Sequence, residues 1–364
     1  MTNHKKFRAG DWIEVRSKEE ILSSLDQKGQ LDGMPFMPQM FQYCGQRLQV
    51  YKRAHKTCDT VNETGGRLLT NAVHLETRCN GEAYGGCQAA CLIYWKEAWL
   101  KRAATPSSPI TDLPTTQPPA DGPGQTGGCR EEDVWAGTKA SQSVGAEDPV
   151  YVCQATQVPA ATTPLRPWDF RQYVEDLESG NVGIARMVRG FLYMGYNSLV
   201  NAGIGLGRPL RRLYDLAQGL WGGVPYPRKR GSVPAGAPTP RAAALNLEPG
   251  DWVRVRSYDE ILSTLDPNNK NRGLYFDAEM VPYCGKKLRV LSKVRKIIDE
   301  KTGRMLDFKT PCFLLEGAVC EARYSECRFF CPRAIYSYWR EIWLERVPQG
   351  EASAATKEFQ QAAK

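Results

Sequence analysis

Histidine is scarce in this chain. Only His4, His55 and His74 occur in 364 residues, and none lies beyond position 80. A shared imidazole-based acid–base or triad chemistry is therefore excluded for the C-terminal half. Long hydrophobic runs are missing as well: no stretch of about 18 apolar residues is present, so a membrane-spanning helix is not expected. MTNHKKFRAGDW at the start is basic but has no apolar stretch behind it. No secretory signal is expected from it, and a cytoplasmic location is the default. Nor is there a phosphate-binding glycine loop. GIGLGRP, from Gly203, lacks the Lys-Ser/Thr pair and the strand–turn–helix setting, and its glycines read as a break between helices. Cysteine, by contrast, is plentiful, at 12 residues. In a reducing compartment these suggest metal ligands or buried thiols rather than a disulfide framework.

What is present is a duplication. GDWIEVRSKEEILSSLD, from Gly10, returns as GDWVRVRSYDEILSTLD, from Gly250. FQYCGQRLQV returns as VPYCGKKLRV, and CQAACLIYWKEAWLKR as CRFFCPRAIYSYWREIWLER. A repeat of this length fixes the modular organisation before any local assignment. The chain divides into module 1 (7–102), a Pro/Thr/Gly-rich linker (103–163), a basic helical insert (164–222), a Pro/Gly linker (223–246), module 2 (247–347) and a tail (348–364). In the first linker, CREEDVWAG and EDPVYVCQATQV are islands suited to packing on a neighbour. Hydrophobic residues make up 42%, enough for two or three ordinary cores.

Each module opens with a strand entered from a Gly-Asp turn. Ser17 stands three residues before Glu20, and Ser257 before Glu260, the spacing of a capping box that starts a short helix. Met34-Pro35-Phe36 and Leu274-Tyr275-Phe276 lie in the long first loop, where they can cover the core or meet a partner. The YCG turn and further strands follow, with a terminal helix expected from about Cys87 in module 1 and from Pro332 or beyond in module 2. Trp95/Trp339 and Trp99/Trp343, four apart, read as that helix packing on the sheet. The fold class expected is α+β, two small modules similar to SH3-like barrels, each with a terminal helix and a four-cysteine metal site, joined by the helical insert. Taken together, GDWV…YCG…CxxxC…WxExWL resembles a family of bacterial proteins built from such duplicated modules, for which no activity is established. The resemblance implies a bacterial source and no particular chemistry.

Four cysteines recur per copy: Cys44, Cys79, Cys87 and Cys91, then Cys284, Cys320, Cys327 and Cys331. Four thiolates at tetrahedral corners suit zinc, and on a helix Cys87 and Cys91 would share one side. A structural zinc in each module is the expectation. Buried metal-free thiols and an iron–sulfur cluster are the alternatives. His55, Cys58 and Glu76 are the weak catalytic candidates, and the first two have no counterpart in module 2. Cys129, Cys153 and Cys312 have no counterpart either.

Charge is placed unevenly. The net is +8, and residues 181–230 hold eight Arg/Lys against Asp215 alone. Arginine-rich helices attract phosphate, whether of nucleic acid or of an anionic membrane surface, unless they are simply a solvated face. Met187, Phe191, Met194 and Leu199 beside Arg186 and Arg189 suit an interfacial helix. The function expected is a zinc-binding tandem scaffold with a protein partner, rather than an enzyme. The rivals are a metalloenzyme or its maturation partner active in module 1, and a protein that binds nucleic acid or a membrane surface through the insert.

Overall fold

A computed structural model describes residues 6–103, 128–141, 148–241 and 244–348. Most of the first linker's Pro/Thr/Gly-rich sequence, and the tail after 348, lie outside the described residues. The chain is mixed α+β and forms two compact units. The first comprises Met1–Val182 together with Ile298–Met305, the second Gly183–Ile297 with Leu306–Lys364.

The first unit begins β1 (Trp12–Val15), α1 (Lys18–Ser24), β2 (Gln30–Leu31), β3 (Met34–Pro35), β4 (Arg47–Arg53), β5 (Lys56–Asp59), β6 (Gly65–Leu68), β7 (Ala72–Arg78), β8 (Leu92–Lys96) and β9 (Leu100–Arg102). It continues with α2 (Glu131–Ala136), α3 (Gln154–Ala161), β10 (Thr163–Leu165) and α4 (Arg171–Glu178). An antiparallel five-stranded sheet runs β8-β7-β4-β1-β9, and a three-stranded one β10-β6-β5; both curl as half-barrels. The linker islands pack here. Cys129 and Val134 beside α2, and Tyr151 and Val158 around α3, enter the core.

The second unit holds α5 (Ile184–Val200), α6 (Gly207–Leu220), β11 (Trp252–Val255), α7 (Tyr258–Leu262), β12 (Lys270–Asn271) and β13 (Leu274–Tyr275). It closes with β14 (Lys287–Ile298), β15 (Met305–Leu315) and β16 (Leu344–Arg346), in a sheet ordered β15-β14-β11-β16.

Around the first strand the two copies share their register. Trp12 pairs with Gln49 and Trp252 with Arg289; Ile13 pairs with Arg102 and Val253 with Arg346. Ser17 and Ser257 each cap their helix, and the amide of each donates to Glu20 or Glu260 at 2.9 Å. Phe36 stands edge-on to Trp99 at 5.2 Å, and Phe276 to Trp343 at 5.3 Å, so the long first loop covers the core in both modules.

The terminal helix is where the expectation fails. Leu92–Lys96 is a buried strand beside β7, and residues 97–99 form a single 3-10 turn before β9. An apolar run such as LIYW, buried on both faces, fits a helix or an interior strand equally well by pattern. Aromatic and β-branched residues, with Gly85 and Gly86 just upstream, favour the strand. In module 2 the same stretch is irregular as far as a 3-10 turn at Glu341–Trp343. Phe330 and Ala334 take positive φ of 58° and 44° around Pro332, which no helix accommodates. Trp95, Trp99, Trp339 and Trp343 are fully buried, as core packing requires.

Candidate functional site

The cysteines come first, because the metal expectation rests on them. There is no helix at Cys87, so the i, i+4 argument for setting its sulfur beside that of Cys91 does not apply. Ala90 between them has φ 48°, and the amide of Cys79 donates to the carbonyl of Cys91 at 2.9 Å, a local pairing of extended backbone. Cys79 lies near Cys87 and Cys153, and two of these sulfurs also accept hydrogen bonds. Cys79 Sγ accepts from Gln39 Nε2 at 3.2 Å, and Cys87 Sγ accepts from the Ile298 amide at 3.3 Å. Cys44 caps the 3-10 turn Pro38–Tyr43 near Lys18 and Glu19. In module 2, Cys327 is exposed, Cys331 is buried, Cys284 sits near Asp259, and the amide of Cys320 donates to Ile335 at 2.7 Å. Burial pushes the Cys79 and Cys284 thiols up to about 12, and those of Cys153 and Cys312 to about 11. Among the described residues no group of three or more His, Cys, Asp or Glu is placed to hold a metal ion. The two sets of four cysteines form no such group among the described residues, and the zinc expectation rests on their spacing alone.

His55, Cys58 and Glu76 are not assembled into an accessible site either. His55 and Cys58 are buried, while Glu76 is exposed on β7. His55 Nε2 lies 3.2 Å from the Gln172 carbonyl, to which it donates, and 3.3 Å from Asp176 Oδ1. Lys56 Nζ donates to Asp176 Oδ2 at 2.5 Å. Asp176 is fully buried, so this cluster pins α4 onto β5 within the first unit. Arg53 adds to it, pairing with Glu175 at 2.7 Å and with Glu97. The acids kept in both copies have structural work of the same kind. Asp11 and Asp251 pair with Arg102 and Arg346 at 3.0 Å, while Asp26 and Asp266 accept amides in their turns.

The feature left unexplained by folding is the insert. On α5, Ile184, Val188, Leu192 and Leu199 fall within one quadrant of the helix and are 46–74% exposed. Its opposite face buries Met187, Gly190, Tyr193, Asn197 and Val200. The sequence expectation had placed Met187 on the outer stripe. The phase is set instead by Gly190, where an added Cβ would stand 2.5 Å from the Phe330 ring, so this face must turn inward. Helix α6 buries no residue fully, and exposes Leu206, Leu213, Leu216 and Leu220 along one side, followed by Trp221 at 79%. Arg208 and Arg212, both exposed, flank that stripe, and Arg189 flanks the stripe of α5. Asp215, the only acid of this region, is paired with Lys229 at 2.8 Å. Among the described residues Arg189, Arg208 and Arg212 have no ion pair, so their charges face outward uncompensated. The α4 helix of the first unit carries a shorter stripe of the same kind, Phe170, Val174 and Leu177.

No family model and no curated protein matches the chain. The module therefore stands on its internal duplication, and the insert on its own geometry.

Proposed function

We propose that this protein is a two-module binding protein that lies on an anionic membrane surface, with the α5–α6 pair as its docking element. The observation that carries the reading is the two exposed apolar stripes, flanked by the unpaired Arg189 on α5 and Arg208 and Arg212 on α6. Water-facing apolar area of that extent is unfavourable unless a partner covers it. A helix with one apolar side and a basic border suits the headgroup boundary of a bilayer, where its leucines leave water and its arginines meet phosphate. Each basic residue near such a surface contributes about 1 kcal/mol, screened by salt. Among the described residues no helix is long and apolar enough to cross a membrane, so the mode proposed is lateral. Nucleic acid would use the arginines but leave the leucines in water, which makes it the weaker reading.

We read the modules as small SH3-like barrels that supply the binding surfaces held at the membrane; that architecture by itself assigns no partner. An enzymatic role is not proposed, because the candidates in module 1 are buried or apart.

The test is vesicle flotation of the full chain. Binding should rise with the anionic lipid fraction, fall with salt, and be abolished by Leu213→Glu with Leu216→Glu. Those positions are exposed, so the folded core is untouched. Equal binding by that variant, or none by the wild type at low salt, would remove the proposal.

A further inference from the structure

The second unit contains a cavity of about 570 Å³ against α5 and α6, within the usual range for small-molecule sites. Its walls bring together Arg186, Arg189 and Arg323 with the rings of Tyr196, Tyr214 and Tyr324, and no carboxylate lines it. Arg186 and Arg323 both reach Glu321, at 3.2 and 2.7 Å, while Arg189 is exposed and unpaired. Among these four side chains three guanidinium charges meet one carboxylate, a balance of +2; Asp215, near Tyr214, is paired with Lys229, and the buried Glu279 accepts from the amides of Arg323 and Tyr324. Gly190 on the cavity wall meets the Phe330 ring, so a larger residue here would force the wall apart.

We infer that this cavity is a binding site for a phosphate monoester carrying an aromatic or apolar body. The chemistry matches on three counts. Guanidinium groups bind phosphate through paired charge-assisted hydrogen bonds better than any other side chain. A phosphomonoester carries about −1.5 to −2 at neutral pH, which offsets the +2 of the site. The tyrosine rings offer flat apolar walls to whatever the phosphate is attached to. Leu192, which belongs to the exposed stripe of α5, also lines the cavity. The same phosphate could thus come from a lipid headgroup or from a soluble ester. The inference stands on the cavity alone and does not need the membrane reading.

The experiment is calorimetric titration of the full chain at about 0.15 M salt, where weak surface pairing is screened. Phenyl phosphate, inorganic phosphate and monomeric dihexanoyl phosphatidic acid are the probes. Phenyl phosphate should bind saturably and more tightly than inorganic phosphate, because only the former fills the aromatic wall. Arg189→Ala should weaken it about tenfold, the loss of one charge-assisted contact. Arg208→Ala, outside the cavity, should leave it unchanged. A preference for the phosphatidic acid identifies a lipid as the source, the reverse a soluble ester, and either upholds the site. Absence of saturable binding overturns it, as does an Arg189→Ala protein that binds like the wild type. If vesicle flotation fails while Arg189-dependent phenyl phosphate binding persists, the membrane proposal falls and this one remains.

Discussion

Replacing Asp176 by Ala would remove the buried carboxylate that pairs with Lys56, in a site where the lysine side chain is 3% exposed. Its ammonium cannot reach water without unpacking α4, and Gln172 Oε1, at 3.4 Å, is a neutral and more distant acceptor. His55 loses the same carboxylate from its Nε2 side. Stranding one member of a buried ion pair costs about 3–5 kcal/mol, a large part of the roughly 5–15 kcal/mol that holds a whole domain. Global unfolding is a poor readout in a chain of two units, so a local one is preferable. Cys58 lies on β5, next to this cluster in sequence, and is 5% exposed. The labelling rate of its thiol, followed by mass spectrometry under native conditions, reports the open fraction of that region. The cost above corresponds to an increase of about a hundredfold to several thousandfold in Asp176→Ala. Combining Lys56→Met with Asp176→Leu removes both charges and should return the rate to within about tenfold of the wild type. An Asp176→Ala protein whose Cys58 labels less than about tenfold faster would refute the claim that this pair fastens the helix.

Three further outcomes are expected. Burial raises the Glu279 carboxyl above the ordinary range, even though the amides of Arg323 and Tyr324 donate to it. The folded state then holds this proton more tightly than the unfolded chain, so the associated stability is complete at low pH and is lost as pH rises through the raised value; urea midpoints of the second unit across that window should show the slope, and Glu279→Gln should flatten it. Gly190→Ala should destabilise the second unit by about 1–3 kcal/mol, because its methyl overlaps the Phe330 ring; a midpoint equal to wild type would show that the ring gives way freely. Among the thiols, exposed Cys327 should react first with iodoacetamide at neutral pH, and Cys327→Ser should abolish the fast phase; protection of Cys327 that a chelator relieves would instead restore the metal cage.

The parts of this fold legible in the sequence are those where one residue type has one job. The Ser-x-x-Glu spacing read as a cap at residues 17 and 257, and both caps form. Asp26 and Asp266 read as turn formers, and they accept turn amides. What misled was periodicity without context. Trp95 and Trp99 are four apart, yet one sits on a strand and the other in a 3-10 turn. The same helix was to set Cys87 and Cys91 side by side, so that part of the cysteine argument loses its geometric support. In the insert the helices fell where the Gly and Pro punctuation placed them, but the inward face of α5 was chosen by the contact of Gly190 with Phe330, sixscore and more positions away in the chain. The i, i+4 series 184, 188 and 192 was the available clue to the outer stripe.

Residues 298–305 sit in sequence within module 2 but are built into the first unit. Ile298 is part of that unit's core, its amide reaches Cys87, and Gly303 accepts from the Tyr151 amide at 2.8 Å. A segment of the second copy's sequence thus completes the core of the unit that the first copy builds. A gene split between residues 182 and 247 would deliver an N-terminal product missing a piece of its own interior, so recombination can no longer shuffle the halves as independent cassettes.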